Sequence, residues 1–359
     1  MEIKINQKTI GIGHPTYFIA DIAANHDGNL DRAKKLIQLA KDCGADAAKF
    51  QNFSARKIVS DYGFRNLGGR QSHQEKWDKS VLEVYQDASI PLDWTPILKE
   101  ECDRAGIDYF SSPYDFEAID YLYSFMPAYK IGSGEIDWLE ALARMAGKGK
   151  PILLATGAAA IGEVQRAVHT ILDRNKQLVL MQCNTNYTAS EDNFHHIHLR
   201  VLDTYRIMFP DVILGLSDHT FGHATVLGAV ALGARVIEKH FTDDNDRPGP
   251  DHKFAMNPNT WLEMVKNTRL LEQALGSADK TIAANERETS VIQRRCVRAG
   301  RDLKKGEIIT RQILDVLRPA APGAILPDQI NSVIGMKIAQ PIPFGKEIRW
   351  GDLISGEDE

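Results

Sequence analysis

The sequence predicts an α/β protein, a (β/α)8 TIM barrel followed by a small C-terminal domain. Apolar runs typical of buried parallel strands alternate with segments of helical periodicity, and eight such pairs fit within roughly 270 residues. After Gly276 the alternation stops, and a polar stretch leads into a turn-rich region that begins at Arg294. We therefore expect a barrel over residues 1–276, a linker over 277–293 and a second domain over 294–359.

The predicted strands follow one another in chain order. They are YFIADI from Tyr17, AAKFQ from Ala47, DYFSSP from Asp108, AYKIGS from Ala128, PILLAT from Pro151, LVLMQC from Leu178, ILGLSD from Ile213 and RVIEKHF from Arg235. Between the first two strands, Leu30, Ala33, Ile37 and Ala40 share one face of a predicted helix, and Gly44 suits its C-terminal end. In the second domain, DLKKGEIITRQIL and PIPFGKEIRWGDL align loosely, which indicates a weak internal duplication.

Composition narrows the class of protein. The 359 residues are 43% hydrophobic and carry a net charge of -5 without long single-sign runs, which argues against a nucleic-acid surface. The four cysteines are scattered with no C-x-x-C pair, so we expect reduced thiols. The N-terminal segment has no apolar signal core, and the longest apolar stretch, near residues 224–234, is too short to cross a bilayer. These features predict a cytoplasmic protein with neither nucleic-acid nor membrane partners.

Two histidines lie at the ends of the last two predicted strands. His219 follows ILGLSD and His240 ends RVIEKH, so both side chains would emerge at the carboxyl end of the barrel, where barrel enzymes keep their chemistry. Neutral imidazoles suit Mn, Fe, Co, Ni or Zn, and a site with two protein ligands leaves positions for water and a substrate oxygen. The alternative is that each histidine is a satisfied structural residue.

Cations and small polar residues come at the ends of other predicted strands. They are Lys49, Ser112, Lys130, Ser133 and the Gly132–Gly134 turn. Together these groups would bind a phosphate or a carboxylate. Alternatively, the lysines pair with Asp21 or Glu135 and simply fill the top of the barrel, or a desolvated lysine acts as a Schiff-base nucleophile.

Carboxylates at two further strand ends could bind sugar hydroxyls or manage protons. Asp21 precedes NHDGN after the first strand, and Asp251 ends DRPGPD after the eighth. The NHDGN cluster also suits a turn, in which Asp27 and Asn29 shape or cap the first helix. The long loop over residues 63–77 either shapes specificity or is a passive connection.

The motifs NHDG, AAKFQ, SSPYD, YKIGSGE, GLSDHT, EKHFT and DRPGPD, in this order, resemble those of the sialic acid synthases. This family comprises N-acetylneuraminate synthase and relatives that make other nine-carbon keto-sugar acids (nonulosonates). The resemblance runs from about Asp21 to the tail, where the last domain resembles the antifreeze-like (SAF, β-clip) domain of these enzymes. It implies a transferase that condenses phosphoenolpyruvate with the open-chain aldehyde of an N-acylated hexosamine and releases phosphate by C–O cleavage. It also implies a divalent metal, typically Mn²⁺ with Mg²⁺ or Co²⁺ as alternatives, and a domain-swapped homodimer.

The resemblance also implies residue roles. Phosphoenolpyruvate would be bound by Lys49, Ser112, Lys130, Ser133 and Ser217, and the metal by His219 and His240. The sugar would be contacted by Asp21, Gln74, Tyr187, Asp251 and, from the other subunit's SAF domain, Arg318. Catalysis would involve Asp21, Lys49, Lys130 and Glu135, with Glu135 beside the reacting carbons.

Departures from the family pattern concern mainly the sugar. Asp21 stands where the family usually has glutamate, Ala155 where a relative has serine, and residues 184–186 rearrange a common motif. The loop after the second strand lacks the expected asparagine and offers Gln71, His73, Gln74 and Lys76. We therefore expect an acceptor other than plain N-acetylmannosamine. The rival hypotheses are a metal-free Schiff-base aldolase acting on pyruvate and a non-catalytic sugar-binding barrel.

Overall fold

The computed structural model describes residues 1–67 and 79–354, and the chain divides into two compact units, Met1–Gly276 and Ser277–Glu359. The chain begins with a β-hairpin of β1 (Glu2–Ile5) and β2 (Lys8–Gly11). Eight parallel strands follow: β3 (Tyr17–Asp21), β4 (Ala47–Asn52), β5 (Asp108–Pro113), β6 (Tyr129–Ile131), β7 (Ile152–Ala155), β8 (Leu178–Cys183), β9 (Ile213–Asp218) and β10 (Val236–His240). All eight predicted strands are therefore present.

The eight strands form one sheet in the order β5-β4-β3-β10-β9-β8-β7-β6. The first barrel strand, β3, lies beside the last, β10, and β5 contacts β6 across the seam, so the sheet curls into a nearly closed barrel. The predicted (β/α)8 fold is confirmed. Since parallel strands share one direction, all their carboxyl ends lie at the same end of the barrel.

Helices of the first unit follow most of the strands. They are α1 (Leu30–Asp42), α2 (Ala55–Ile58), α3 (Asp61–Arg65), α4 (Val81–Ala88), α5 (Trp94–Ala105), α6 (Phe116–Leu122), α7 (Leu139–Ala146), α8 (Ile161–Leu172), α9 (Val201–Met208), α10 (Ala224–Ala231) and α11 (Pro258–Leu275). Short 3-10 helices cover Ser133–Glu135 and Glu191–His196. The predicted first helix is α1, which buries Ala33, Ile37 and Ala40 and is capped by the Asn29 side chain on the Arg32 N–H.

The hairpin β1–β2 was not predicted. Its apolar side chains Ile3, Ile5 and Ile10 are at most 3% exposed, because they pack against the inward side chains at the amino-terminal end of the barrel. Those side chains include Tyr17, Ile19, Phe110, Leu153, Val179, Ile213 and Val236. The hairpin therefore covers the end of the barrel opposite to the carboxyl ends of the strands.

The second unit begins with a 3-10 helix (Ala284–Glu286) and α12 (Arg287–Ile292). Two antiparallel pairs follow, β11 (Cys296–Ala299) with β12 (Leu314–Leu317) and β13 (Lys337–Ile338) with β14 (Leu353–Ile354). Further 3-10 helices cover Arg311–Ile313, Pro327–Ser332 and Trp350–Asp352. Residues 302–314 and 341–353, the two segments that align in sequence, both contain a turn followed by a 3-10 helix and end at the first residue of a strand.

Candidate active site

The inward side chains of the barrel strands change character along each strand. Because inward positions alternate, a step of two residues leads from one layer of the barrel to the next. On β3 this step leads from Ile19 to Asp21, on β4 from Ala47 to Lys49, and on β10 from Val236 to Glu238. The upper layer thus contains Asp21, Lys49, Ser112, Lys130, Ser217 and Glu238, all at most 5% exposed. The apolar base therefore supports a layer of buried charges.

The charges of this layer are paired. Lys49 Nζ lies 2.5 Å from Asp21 Oδ2 and 3.9 Å from Glu238 Oε2, and Lys130 Nζ lies 3.3 Å from Glu238 Oε1. Ser217 Oγ donates to Glu238 Oε1 at 3.1 Å. Pairing between the lysines and nearby carboxylates was one of the alternatives raised by the sequence. Its main partner, Glu238, was not predicted, although it precedes His240 by two residues and so faces the same side of the strand.

Lys49 is held in its charged form. Burial lowers its pKa, but the Asp21 and Glu238 carboxylates outweigh burial, and the pKa is raised above its ordinary value. A protonated amine is not a nucleophile, so this environment opposes a Schiff-base role for Lys49. It favours the binding of an anion.

Two serines provide further polar groups near the lysines. The Ser112 hydroxyl is buried at the end of β5 without a hydrogen-bond partner in the described residues. Ser133 Oγ accepts from the Gly157 N–H at 2.9 Å. Gly157 is needed for this approach, because a Cβ there would lie 2.5 Å from Thr185 Cγ2 and 2.9 Å from Ser133 Oγ. An unpartnered buried hydroxyl is costly, so Ser112 is suited to bind a ligand oxygen.

The two histidines lie side by side at the strand ends, with ring centroids 5.3 Å apart. His219 Nδ1 lies 2.7 Å from the Asn184 carbonyl oxygen, an acceptor, so Nδ1 carries the proton and Nε2 carries the lone pair. Tyr187 and Phe254 pack against both rings. This packing fixes the orientation of both imidazoles.

His240 lies between two carboxylates. Its Nε2 is 3.8 Å from Asp21 Oδ2 and its Nδ1 is 3.7 Å from Asp251 Oδ2, and Nδ1 is buried without a hydrogen-bond partner. Burial lowers the pKa of His240 to about 3 despite the charge of Asp251, so the ring is neutral at physiological pH. A neutral imidazole with an unpartnered nitrogen is what a metal requires.

These observations test whether the residues fit a divalent metal. In the described part of the chain, no three His, Cys, Asp or Glu side chains converge to hold an ion by themselves. Burial lowers the pKa of His219, but hydrogen bonds with Cys183 and the Asn184 carbonyl, together with the charges of Cys183 and Asp218, outweigh burial and raise the pKa above its ordinary value. A metal therefore competes with a proton at His219. Two oriented imidazoles, of which His240 has an unpartnered nitrogen, fit an ion that takes its other ligands from water or substrate.

A cavity of about 360 Å³ opens at this end of the barrel. Five of the predicted site residues line it: Ser133, Glu135, Tyr187, His240 and Asp251. Its apolar wall includes Phe53, Val84, Tyr85 and Tyr114. The described lining contains two carboxylates but neither lysine nor arginine. The cavity is large enough for a small organic substrate beside the histidines.

Glu135 faces this cavity from the Ser133–Glu135 3-10 helix. Burial raises the pKa of Glu135 to about 7, while the charge of Lys130 acts in the opposite direction. Gly132 allows its close approach, because a Cβ there would lie 2.7 Å from Glu135 Oε2. A carboxyl group with a pKa near neutrality can accept or donate a proton in turnover.

The structure does not test two of the predicted site residues. Gln74, together with Gln71, His73 and Lys76, lies outside the described residues. Arg318 belongs to the second unit, directly after β12. The roles predicted for Gln74 and Arg318 therefore stay predictions.

The fold and the polar cluster at the carboxyl ends of its strands define a (β/α)8-barrel enzyme. Comparison with known families matches the NeuB family over residues 36–280 and the SAF domain over residues 294–354. The chain therefore belongs to the NeuB family of sialic acid synthases, which are transferases, and it has a C-terminal SAF domain. The predicted family is confirmed.

Relatives in this family are named for different products. The chain is 33% identical to the N,N'-diacetyllegionaminic acid synthase of Legionella pneumophila, over 97% of both chains. It is 31% identical to the human N-acetylneuraminate-9-phosphate synthase, over 92% of this chain and 90% of the human one. A crystal structure of a Bacillus subtilis spore coat polysaccharide biosynthesis protein matches with 31% identity, a TM-score of 0.65 and 99% coverage of both chains. The family is thus clear, whereas its members differ in product.

The structure also bears on two general predictions. All four cysteines are buried free thiols. Among the described residues, no helix is both long enough and apolar enough to span a membrane.

Proposed function

We propose that this protein is a metal-dependent nonulosonate synthase. It condenses phosphoenolpyruvate with the open-chain aldehyde of an N-acylated hexosamine-type sugar, and forms a nine-carbon 2-keto-3-deoxy sugar acid and phosphate. The observation that carries the proposal is the buried layer that contains Lys49 and Lys130, directly beside the His219–His240 pair. An anion site and a metal-binding pair at one end of a barrel suit this reaction.

Phosphoenolpyruvate binds to the polar layer. Lys49 and Lys130 balance the charges of its phosphate and carboxylate, and the hydroxyls of Ser112, Ser133 and Ser217 donate hydrogen bonds to its oxygens. The unpartnered Ser112 hydroxyl and the charged state of Lys49 support this assignment. Lys49 and Lys130 now contact the carboxylates of Asp21 and Glu238, so a bound anion would have to share the two lysines with these carboxylates.

His219 and His240 would hold a divalent metal, for which Mn²⁺ is the first candidate. When bound, the metal would polarise the aldehyde oxygen. Tyr187 and Asp251 bind and orient the sugar from the cavity wall. C3 of phosphoenolpyruvate forms the new bond to the aldehyde carbon, which leaves cationic character at C2. Water adds to C2, Glu135 accepts one proton of that water, and the alkoxide at the former aldehyde carbon takes up one proton to become a hydroxyl. The tetrahedral intermediate then expels phosphate by C–O cleavage as C2 becomes the ketone, and the second proton of the water leaves with the phosphate.

The acceptor is an uncharged sugar other than plain N-acetylmannosamine. Asp21 is held by Lys49 at 2.5 Å, so its short side chain does not reach the cavity as the family's glutamate would. The described cavity lining has carboxylates and no cation, which opposes a phosphorylated sugar. Its apolar wall accommodates acyl groups and deoxygenated carbons better than additional hydroxyls.

The protein assembles as a domain-swapped homodimer in the cytoplasm, and Arg318 contacts the sugar or its acyl group in the partner's site. Light scattering tests the dimer. An Arg318→Ala variant tests the contact: we expect a higher KM for the sugar with little change in the KM for phosphoenolpyruvate.

The deciding experiment measures phosphate release from phosphoenolpyruvate with Mn²⁺ against a panel of acceptors. The panel contains 2-acetamido hexoses, 2,4-diacetamido hexoses and a 6-phosphorylated hexosamine, and each assay is repeated after chelation. We expect metal-dependent release with one uncharged sugar. A best specificity constant with N-acetylmannosamine would contradict the acceptor proposal, and trapping of a pyruvate adduct by borohydride would favour the aldolase.

A further inference from the structure

A second pair of buried charges lies behind the two histidines. Asp218 directly precedes His219, and Lys239 directly precedes His240. Successive side chains of a strand point to opposite faces, so Lys239 faces the helical layer while Glu238 and His240 face the interior of the barrel. Lys239 Nζ lies 2.5 Å from Asp218 Oδ2, and both side chains are at most 1% exposed. This ion pair is therefore separate from the layer that contains Lys49 and Lys130.

The pair is tied to the backbone around His219. Asp218 accepts from the Thr220 N–H at 3.2 Å, from Thr220 Oγ1 at 2.8 Å and from Thr225 Oγ1 at 2.7 Å. Lys239 Nζ also donates to the Thr220 carbonyl oxygen at 2.5 Å. The residues on both sides of His219 are thus held by a network that includes the residue before His240.

The register of β9 and β10 places this network directly before the two histidines. Asp218 and Lys239 are paired residues in the parallel ladder of β9 and β10, so each strand carries its charge directly before its histidine. Beyond this pair β9 ends, and the His219 backbone has no further ladder partner. Beyond the end of the strand ladder, the backbone next to His219 is held by side-chain hydrogen bonds from Asp218 and Lys239.

The stability of the fold does not by itself explain why a buried ion pair occupies this position. Desolvating two charges costs about as much as their attraction returns, and apolar residues of similar volume often serve a core as well or better. The helix beside it, α10, contributes Val226, Ala229 and Val230 to an apolar core that could accommodate such residues. What an ion pair with directed hydrogen bonds adds is a fixed geometry.

We infer that the Asp218–Lys239 pair is a positioning device that sets the separation and orientation of His219 and His240, and thereby the affinity of the site for its metal. This inference rests on the proposed function for the identity of the metal site. Neither residue faces the cavity or touches the reacting atoms, so both act through the histidines. Supporting residues of this kind typically change metal affinity about 10- to 100-fold when they are replaced.

The test compares three variants of the full chain with the wild type: Asp218→Asn, Lys239→Met and the neutral double variant Asp218→Leu with Lys239→Met. Mn²⁺ dissociation constants are measured by titration followed by electron paramagnetic resonance, and melting temperatures are measured without metal. The single variants leave a buried group unpaired, so we expect them to lose both stability and affinity. The double variant is decisive, because it removes both charges together.

We expect the double variant to be more stable than either single variant, because no buried charge is left unpaired, and still to bind Mn²⁺ about 10- to 100-fold more weakly than the wild type. A folded double variant with wild-type affinity would overturn the inference. Leu142→Ala serves as the control, since it removes a buried side chain of α7 and should lower stability without changing Mn²⁺ affinity.

A metal-free measurement separates this inference from the proposed function. Long-range ¹H–¹⁵N correlation of the imidazoles reports the His219 Nδ1 proton that is shared with the Asn184 carbonyl. We expect the double variant to change this signal and Leu142→Ala to leave it unchanged. A wild-type chain that binds no Mn²⁺ would contradict the metal assignment, and an unchanged imidazole signal in the double variant would contradict the positioning role.

Discussion

At the amino-terminal end of the barrel, the inward side chains are apolar and are covered by the β1–β2 hairpin, whereas at the carboxyl end they are charged and lie beside a cavity. The two layers are only two residues apart along each strand, as from Ile19 to Asp21. The difference teaches that one set of strands carries two separable properties. The apolar base stabilises the fold, and this stability offsets the free-energy cost of burying the charges of the upper layer.

The largest effect is expected at the histidines. Replacing His219 or His240 by alanine removes a metal ligand, so we expect turnover to fall below detection while the fold is kept. Phosphate release and circular dichroism measure the two properties. His196→Ala is the control, because His196 is an exposed histidine at the end of the Glu191–His196 3-10 helix, and its replacement should leave both properties unchanged. Near-normal turnover in a folded, metal-replete His240→Ala variant would show that the upper layer works without this ligand.

The next effect concerns Glu135. Because Glu135→Gln removes the proposed proton acceptor, we expect kcat to fall about 10²- to 10⁴-fold. In the wild type, kcat should rise as the pH increases through about 7, where Glu135 loses its proton, and the variant should lack this rise. Asp137→Asn, an exposed carboxylate two residues away, should retain it. A retained rise in the Glu135→Gln variant would assign the titration to another group.

Glu135 also makes the stability of the folded protein depend on pH. Since its pKa is raised on folding, the folded protein holds a proton that the unfolded chain releases above about 4.5, so stability falls as the pH increases from there to about 7. Glu135→Gln cannot lose a proton. We therefore expect the variant to gain stability relative to the wild type over this range, as measured by denaturant unfolding at several pH values.

At the base the expectations are reversed. Ile5→Ala creates a cavity under the barrel and should lower the free energy of unfolding by about 2–5 kcal/mol, while kcat and both KM values at a permissive temperature stay unchanged. Ile12→Ala makes the same chemical change at a side chain that is 78% exposed, and should cost less than about 0.5 kcal/mol. A changed KM for phosphoenolpyruvate in Ile5→Ala would mean that the two layers are coupled.

The smallest effect is expected at the cap of α1. Asn29 lies at the carboxyl end of the barrel, in the loop after β3, yet its side chain only caps the Arg32 N–H. Asn29→Ala should therefore lower the free energy of unfolding by about 0.5–2 kcal/mol without changing kcat, and Asn29→Ser should restore most of it. Loss of activity in Asn29→Ala that serine does not restore would give this residue a role beyond the cap.

The alternation of apolar runs and helical periodicity predicted all eight barrel strands, because a buried parallel strand needs a continuous apolar run. The hairpin escaped prediction since EIKI and KTIG are short and half polar, and their burial depends on a barrel end that no local pattern reveals. The second unit has strands of two to four residues, which are too short for a periodic signal. Its fold was therefore predicted only through the family resemblance.

The candidate site was predictable to the extent that its residues follow strands. His240 ends β10 and His219 directly follows β9, whereas Lys49 and Lys130 lie within β4 and β6, and parallel topology brings all four to the carboxyl end of the barrel. Glu238 was missed although it also lies within a strand and its spacing from His240 gives it the same face. The Asn184 carbonyl that orients His219 is a backbone group, so no side-chain pattern could reveal it.

The pairing of β3 with β10 has a consequence for how the chain folds during its synthesis. β3 pairs with β4 on one edge, but its partner on the other edge, β10, begins only at Val236. That edge of β3 can therefore pair only after more than two hundred further residues have been translated, and it stays exposed in the meantime. The seam of the barrel is thus the place where the growing chain has a long opportunity to meet the wrong partner.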